Sequence, residues 1–82
     1  MSVKTIFRQF LCWMDGAYRK VVAENVRRFR QKLGLTQESL AEKADMHWTF
    51  ISGVERCKYN ISLDSIVRLA KALDRAPHEL LK

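Results

Sequence analysis

The residues from Gln37 to Arg56 constrain the fold more than any other part of this sequence. Apolar residues recur there at helical spacing in two groups, Leu40, Ala41 and Ala44 and then Ile51 and Val54. Met46 falls between the groups, where a turn is expected. The pattern predicts two short helices that cross at a steep angle over a turn of three to four residues. The polar and aromatic residues at positions 47–50 and 52–53 cannot all face the core, so we expect some to face a partner.

Length and charge narrow the class of protein. The chain has 82 residues, which predicts one small domain, and its 48% hydrophobic residues with one proline are typical of a folded chain. The formal net charge is +6, and the segment 19–32 holds six basic residues against one acidic residue, Glu24. Such a segment is either a solvated helix face or a surface that meets phosphates.

Other classes of function find little support. Cys12 and Cys57 lie far apart, and His47 and His78 do not complete a metal-binding pattern with them. We therefore expect no metal, cofactor or disulfide, and a reduced, cytoplasmic location. No apolar run reaches the roughly 18–20 residues of a membrane span. Serine, histidine and aspartate are scattered over helical patterns, which argues against an enzyme.

The whole chain shows helical periodicity and no strand-like alternation, so the predicted class is all-α. Residues 17–33 form one helix, ended by Gly34. Thr36 and Ser62 are expected to cap the starts of two further helices, and Pro77 to begin the last one. The inward-facing positions that we predict on the two longest of these helices are Val22, Val26, Phe29, Leu33, Leu63, Ile66, Val67, Ala70 and Leu73.

Residues 1–16 are predicted to form an amphipathic N-terminal extension, separate from a domain at 17–82. Its apolar residues recur at helical spacing, with Ser2 as a cap and Asp15-Gly16 as an end. Four interpretations stay open: it packs on its own domain, it extends a dimer interface, it binds a membrane or another partner, or it is a loosely ordered leader. Aromatic side chains favour burial somewhere.

The stretch LGLTQESLAEKADMHWTFISGVERCKYNISLDSIVRLAKAL resembles the lambda-repressor-like, Cro-type (XRE) helix-turn-helix DNA-binding domain. The shared residues include Gly34-Leu35-Thr36-Gln37, Leu40-Ala41, Ile51, Glu55, Asn60, Ser62 and the segment 69–73. The similarity covers about residues 21–82 and implies a five-helix domain, to which the extension adds a further helix. Within that family, ADMHWTFISGVER resembles the controller proteins of restriction–modification systems, which are small dimers that regulate their own operon.

The resemblance implies that the second helix of the pair lies in the DNA major groove. The candidate base contacts are then His47, Trp48, Thr49, Phe50 and Ser52, and the candidate DNA-backbone contacts are Gln37, Arg56, Lys58, Tyr59 and Asn60. Three of these have alternatives, since N-terminal aromatics could cover Trp48, Phe50 could belong to the edge of the core, and Asn60 could organise its loop. Gly53 leaves a frequent contact position without a side chain.

The resemblance also implies a structural ion pair between Arg30 and Glu55, and a dimer interface formed by Pro77, His78, Leu80 and Leu81. The predicted function is a homodimeric transcription regulator on a palindromic operator in double-stranded DNA, with RNA polymerase as a further partner and no membrane. The alternative is an antitoxin that binds a toxin, through residues 1–16, as well as its own promoter.

Overall fold

The computed structural model describes the backbone of residues 3–82 and the side chains of residues 17–82, and this part of the chain is helical without strands. Its elements are α1 (Val3–Lys32), α2 (Gln37–Ala44), α3 (Trp48–Glu55), α4 (Leu63–Ala72) and a C-terminal 3₁₀ helix (Pro77–Leu81). The all-α class is confirmed. The last predicted helix is a 3₁₀ turn, so the part of the chain at residues 3–82 has four α-helices and not five.

Local sequence signals set the helix boundaries. The Thr36 hydroxyl accepts a hydrogen bond from Ser39 N at 3.0 Å, and the Ser62 hydroxyl accepts one from Ser65 N at 3.1 Å. Each bond satisfies an amide that has no partner within its own helix. Gly34 follows α1 with φ +69, in the left-handed region where a side chain is strained. The predicted caps and the predicted stop are therefore confirmed.

The predicted break at Asp15-Gly16 is wrong, because α1 runs through both residues as one helix. A glycine inside a helix costs about 1 kcal/mol relative to alanine. Ending one helix and starting another would leave backbone amides and carbonyls without partners on both sides. The helix therefore has no break where the extension is predicted to end, and the division into residues 1–16 and 17–82 stays a prediction. The burial of its apolar face lies outside the described side chains, and its four interpretations stay predictions.

The core lies within a ring of packed helices: α1 packs against α3, α3 against α2, α2 against α4, and the C-terminal 3₁₀ helix packs against both α4 and α1. The residues without exposed surface include Leu40, Ile51, Leu69, Val26 and Leu80. Its other buried members are Val22, Phe29, Ala41, Ala44, Val54, Ile66, Ala70, Ala72 and Leu73, with Met46 and Phe50 packed at its edge. The crossing of α2 and α3 predicted from Leu40, Ala41, Ile51 and Val54 is present.

Three predicted core residues are exposed instead. Leu33 follows the last residue of α1 and no longer continues its apolar stripe, so it is 44% exposed. Leu63 is 76% and Val67 37% exposed, because α4 turns Ile66 and Leu69 inward. Leu63 and Val67 thus leave apolar surface on the outer side of α4.

The C-terminal 3₁₀ helix packs against α1 through Leu80 and a polar contact. Asn25 is 4% exposed, and its side-chain amide donates to Leu80 O at 3.0 Å and to Lys82 O at 3.3 Å. Leu80 is fully buried within this chain, so it has no surface to offer a partner. This corrects the expectation that Leu80 lies in a dimer interface. Its neighbour Leu81 is 38% exposed, so its place in a dimer interface stays a prediction.

Within residues 3–82, none of the helices combines the length and the apolar character that a membrane span requires.

Candidate nucleic-acid interface

Helix α3 has one face in the core and one face in solvent. Ile51, Val54 and Glu55 are buried, and they fix the helix against α1 and α2. Trp48 and Thr49 are exposed on the opposite face, and Ser52 is half-buried one turn later. The structure therefore brings together three of the five predicted base contacts on one solvent-facing surface. We call this surface, with its residues Trp48, Thr49 and Ser52, the reading face.

His47 has a role that the sequence prediction did not include. It is the N-cap of α3, and its Nδ1 accepts a hydrogen bond from Thr49 N at 3.2 Å. The same nitrogen lies 2.7 Å from the Thr49 hydroxyl. Nδ1 is thus engaged within the protein, which leaves Nε2 as the atom that could meet a base.

Phe50 and Tyr59 form a stacked pair beside the reading face. Their ring centroids are 5.6 Å apart, with 12° between the ring planes. Phe50 is half-buried at the edge of the core, which supports the alternative that it is structural. Tyr59 is 44% exposed, and its ring lies directly over Gly53. Gly53 therefore makes room for Tyr59, a contact that no local sequence pattern indicates.

Replacing Gly53 with alanine should displace the Tyr59 ring, because the added methyl group would overlap it. The Phe50–Tyr59 stack would then be lost, at about 1 kcal/mol of the free energy of unfolding, a typical value for an aromatic pair. Alanine is about 1 kcal/mol more favourable than glycine inside a helix, so the two effects nearly cancel in the wild type. In a Tyr59→Ala background only the gain remains, so the same Gly53→Ala substitution should raise the stability by about 1 kcal/mol. Urea unfolding measures both changes, and an equal change in the two backgrounds would contradict the proposed overlap.

Glu55 is the centre of a polar cluster that joins three helices. Arg30 Nε donates to Glu55 Oε2 at 2.8 Å, and Arg30 Nη2 donates to Oε1 at 3.0 Å. The Glu55 side chain is 1% exposed and that of Arg30 is 14% exposed, so the ion pair is largely desolvated. Arg30 also donates to Leu35 O at 2.9 Å, which ties the turn after α1 to the same point. We call Arg27, Arg30, Gln37 and Glu55 the Glu55 cluster.

Two members of the Glu55 cluster have a contact that the sequence does not predict. Arg27 is exposed, in agreement with its predicted place on the solvated or phosphate-facing surface, and its Nη2 also donates to Glu55 O at 3.0 Å while its Nε lies 3.5 Å from Oε1. Gln37, a predicted DNA-backbone contact, donates from Nε2 to Glu55 Oε1 at 3.4 Å from the first turn of α2. Gln37 is half-buried, so its side chain can reach solvent from this position.

The segment after α3 supplies positive charge next to the reading face. Arg56, Lys58, Tyr59 and Asn60 are all exposed. Arg56 and Lys58 line, with Tyr59 and the reading face, an open cavity of about 260 Å³. Cations beside an exposed helix face are suited to the phosphate strands that border a DNA groove. The described side chains contain no cluster of three or more histidine, cysteine, aspartate or glutamate residues that could hold a metal ion.

Comparison with known proteins agrees with this geometry. The helix-turn-helix family profile matches residues 26–80. Control protein C.SmaI of Serratia marcescens is 42% identical over 71 residues, which cover 87% of this chain and 82% of that protein. Control protein C.BamHI of Bacillus amyloliquefaciens is 41% identical over 69 residues, covering 83% of this chain and 85% of that protein.

Solved structures give the same result. The restriction-modification controller protein C.AhdI from Aeromonas hydrophila superposes with a TM-score of 0.75 at 39% identity, over 78% of this chain and 97% of that chain. A hypothetical transcription factor from Neisseria superposes with a TM-score of 0.78 at 42% identity, over 79% of this chain and 75% of that chain. The chain belongs to the XRE-type helix-turn-helix family and is a DNA-binding transcription regulator.

Proposed function

We propose that this regulator binds a palindromic operator as a homodimer and controls a restriction–modification operon. The observation that carries the proposal is the similarity to restriction-modification controller proteins, which extends over most of this chain and nearly all of C.AhdI. Residues 1–16, on which the antitoxin alternative depends, have no described side chains, so no structural observation favours that alternative. The contact with RNA polymerase and the cytoplasmic location stay predictions.

A homodimer is supported by exposed apolar surface away from the reading face. Tyr18, Ile66 and Leu81 line an open cavity of about 300 Å³ between α1, α4 and the C-terminal 3₁₀ helix. Leu63 and Val67 lie one turn apart on α4, beside Ile66, and are exposed. Apolar patches of this kind on a small protein usually mark an interface. Two copies joined by two-fold symmetry through this patch would present two reading faces to one DNA duplex.

A two-fold dimer makes a geometric prediction about the operator. Half-sites read by two equivalent helices are about 10–10.5 base pairs apart, centre to centre, or a multiple of that distance. Selection of bound sequences from random duplex DNA should therefore yield an inverted repeat with this spacing. Recovery of a direct repeat, or of single half-sites, would contradict the dimeric arrangement, and recovery of no common sequence would contradict specific binding.

Within this proposal Thr49 contacts a base edge and Lys58 contacts a phosphate. Thr49→Ala should reduce affinity for the selected operator by about 1–3 kcal/mol while affinity for a scrambled duplex stays unchanged. Lys58→Ala should weaken binding to both duplexes and lower the slope of log affinity against log salt by about one, the change expected when one phosphate is no longer neutralised. Fluorescence anisotropy at several salt concentrations measures both effects. Arg56→Ala should behave like Lys58→Ala, and equal losses on both duplexes for Thr49→Ala would remove Thr49 from base reading.

A further inference from the structure

The reading face borders an open notch that lies between the aromatic rings of Trp48 and Tyr59. The exposed side chain of Trp48 stands at the start of α3, and Tyr59 folds back over Gly53 at its far end. Trp48, Ser52 and Tyr59 belong to the same open cavity of about 260 Å³. Trp48 is 47% and Tyr59 is 44% exposed, so both rings offer apolar surface to a ligand.

The position of the notch limits what can enter it. Arg56 and Lys58 also line the cavity, so a polyanion would bring its phosphates to the rim and its less polar groups to the rings. In the major groove of double-stranded DNA, the apolar group on a base edge is the 5-methyl group of a pyrimidine. Thymine carries that methyl group beside the O4 acceptor, and the Ser52 hydroxyl can donate to such an acceptor.

We propose that the notch between Trp48 and Tyr59 reads the 5-methyl group of a pyrimidine in the operator. This proposal rests on the proposed function and names the base feature that Trp48 recognises. In this role the Trp48 indole is exposed because it contacts a base, so the N-terminal aromatic residues need not cover it. Thymine and 5-methylcytosine share the methyl group, and they differ at the neighbouring exocyclic atom, an oxygen in thymine and an amino group in 5-methylcytosine.

The test replaces single thymines of the selected operator with uracil, which removes the methyl group and leaves base pairing intact. At one thymine position in each half-site, the replacement should lower the affinity of the protein for the operator about fourfold. This change corresponds to about 0.8 kcal/mol, the value for one buried methyl group. In the Trp48→Ala variant the same replacement should have no effect. Leu33→Ala removes another exposed apolar side chain, one that does not line the cavity, so it should keep the fourfold difference and serves as the control.

A second arm identifies the source of the methyl group. The thymine is replaced with cytosine and with 5-methylcytosine, each opposite guanine. Tighter binding of 5-methylcytosine than of cytosine shows that either base satisfies the notch, whereas equal binding, with the uracil effect present, assigns the notch to thymine.

Two results would overturn the proposal. Less than a twofold effect of uracil at every thymine would exclude the methyl contact while leaving specific DNA binding intact. A uracil effect of the same size in wild type and Trp48→Ala would place the methyl group elsewhere on the protein. Absence of any selected sequence would overturn both this inference and the proposed function.

Discussion

Replacing Glu55 with alanine is expected to lower the free energy of unfolding by about 3–5 kcal/mol, the usual cost of removing one partner of a buried ion pair. The Glu55 side chain is 1% exposed and receives hydrogen bonds from Arg30 on α1 and Gln37 on α2. Without it, the guanidinium of Arg30 stays largely desolvated and has no anion to neutralise it. Since a domain of this size has only about 5–15 kcal/mol of total stability, the variant should be close to unfolding.

Glu42→Ala is the matched control for Glu55→Ala. Glu42 is an exposed glutamate on the neighbouring helix α2, and its removal should change the stability by no more than about 0.5 kcal/mol. Urea unfolding followed by circular dichroism measures both variants. Glu55→Gln keeps the volume and one acceptor, so it should lose less stability than Glu55→Ala. A loss below about 1 kcal/mol for Glu55→Ala would show that the Glu55 cluster does not hold α3 in place.

Leu80→Ala is expected to cost about 2–5 kcal/mol, because Leu80 is fully buried and its truncation leaves a cavity against α1. The adjacent Leu81→Ala should behave differently, since Leu81 is 38% exposed beside the cavity that we assign to the dimer interface. It should weaken dimerisation and leave the protomer folded. Sedimentation at micromolar concentration should therefore show a dimer for wild type and more monomer for Leu81→Ala.

Unfolding at several protein concentrations separates the two leucines. A dimer that unfolds to monomers is more stable at higher concentration. Leu80→Ala should lose stability at every concentration, whereas Leu81→Ala should mainly lose the dependence on concentration. If Leu81→Ala and Leu80→Ala lowered stability alike, the distinction between a core residue and an interface residue would be wrong. A wild-type protein that stays monomeric with and without DNA would contradict the dimer.

Local signals in the sequence are sufficient to predict most of the helices and their ends. Thr36, Ser62 and Gly34 act within one turn of the chain, so each can be interpreted without knowing the fold. The predicted apolar stripe of α1 is correct up to Phe29, and it fails at Leu33, where the helix has ended. The predicted break at Gly16 fails because a single glycine is a weaker signal than the continuity of a long helix.

Contacts between distant parts of the chain cannot be predicted in this way. Helix α4 carries apolar residues on two overlapping stripes, and only its packing against the other helices decides that Leu63 and Val67 face outward. Asn25 and Leu80 are 55 positions apart, so the hydrogen bond between them has no local signature. The same holds for the Tyr59 ring over Gly53.

The Glu55 cluster shows the same limit. The pairing of Glu55 with Arg30 follows from the family resemblance, and the structure confirms it. Arg27 lies on α1 and Gln37 lies in the first turn of α2, and only the geometry of the folded chain brings their side chains to Glu55.

The division of α3 into two faces has a consequence for how such regulators diversify. Ile51, Val54 and Glu55 anchor the helix, whereas the side chains of Trp48, Thr49 and Ser52 have no part in the hydrophobic core. Substitutions on the reading face can therefore change the preferred operator while the anchoring residues keep the helix in the same orientation. A duplicated gene could acquire a new target through a few substitutions without passing through an unfolded intermediate. The same separation makes α3 a suitable place to engineer regulators that ignore one another's operators.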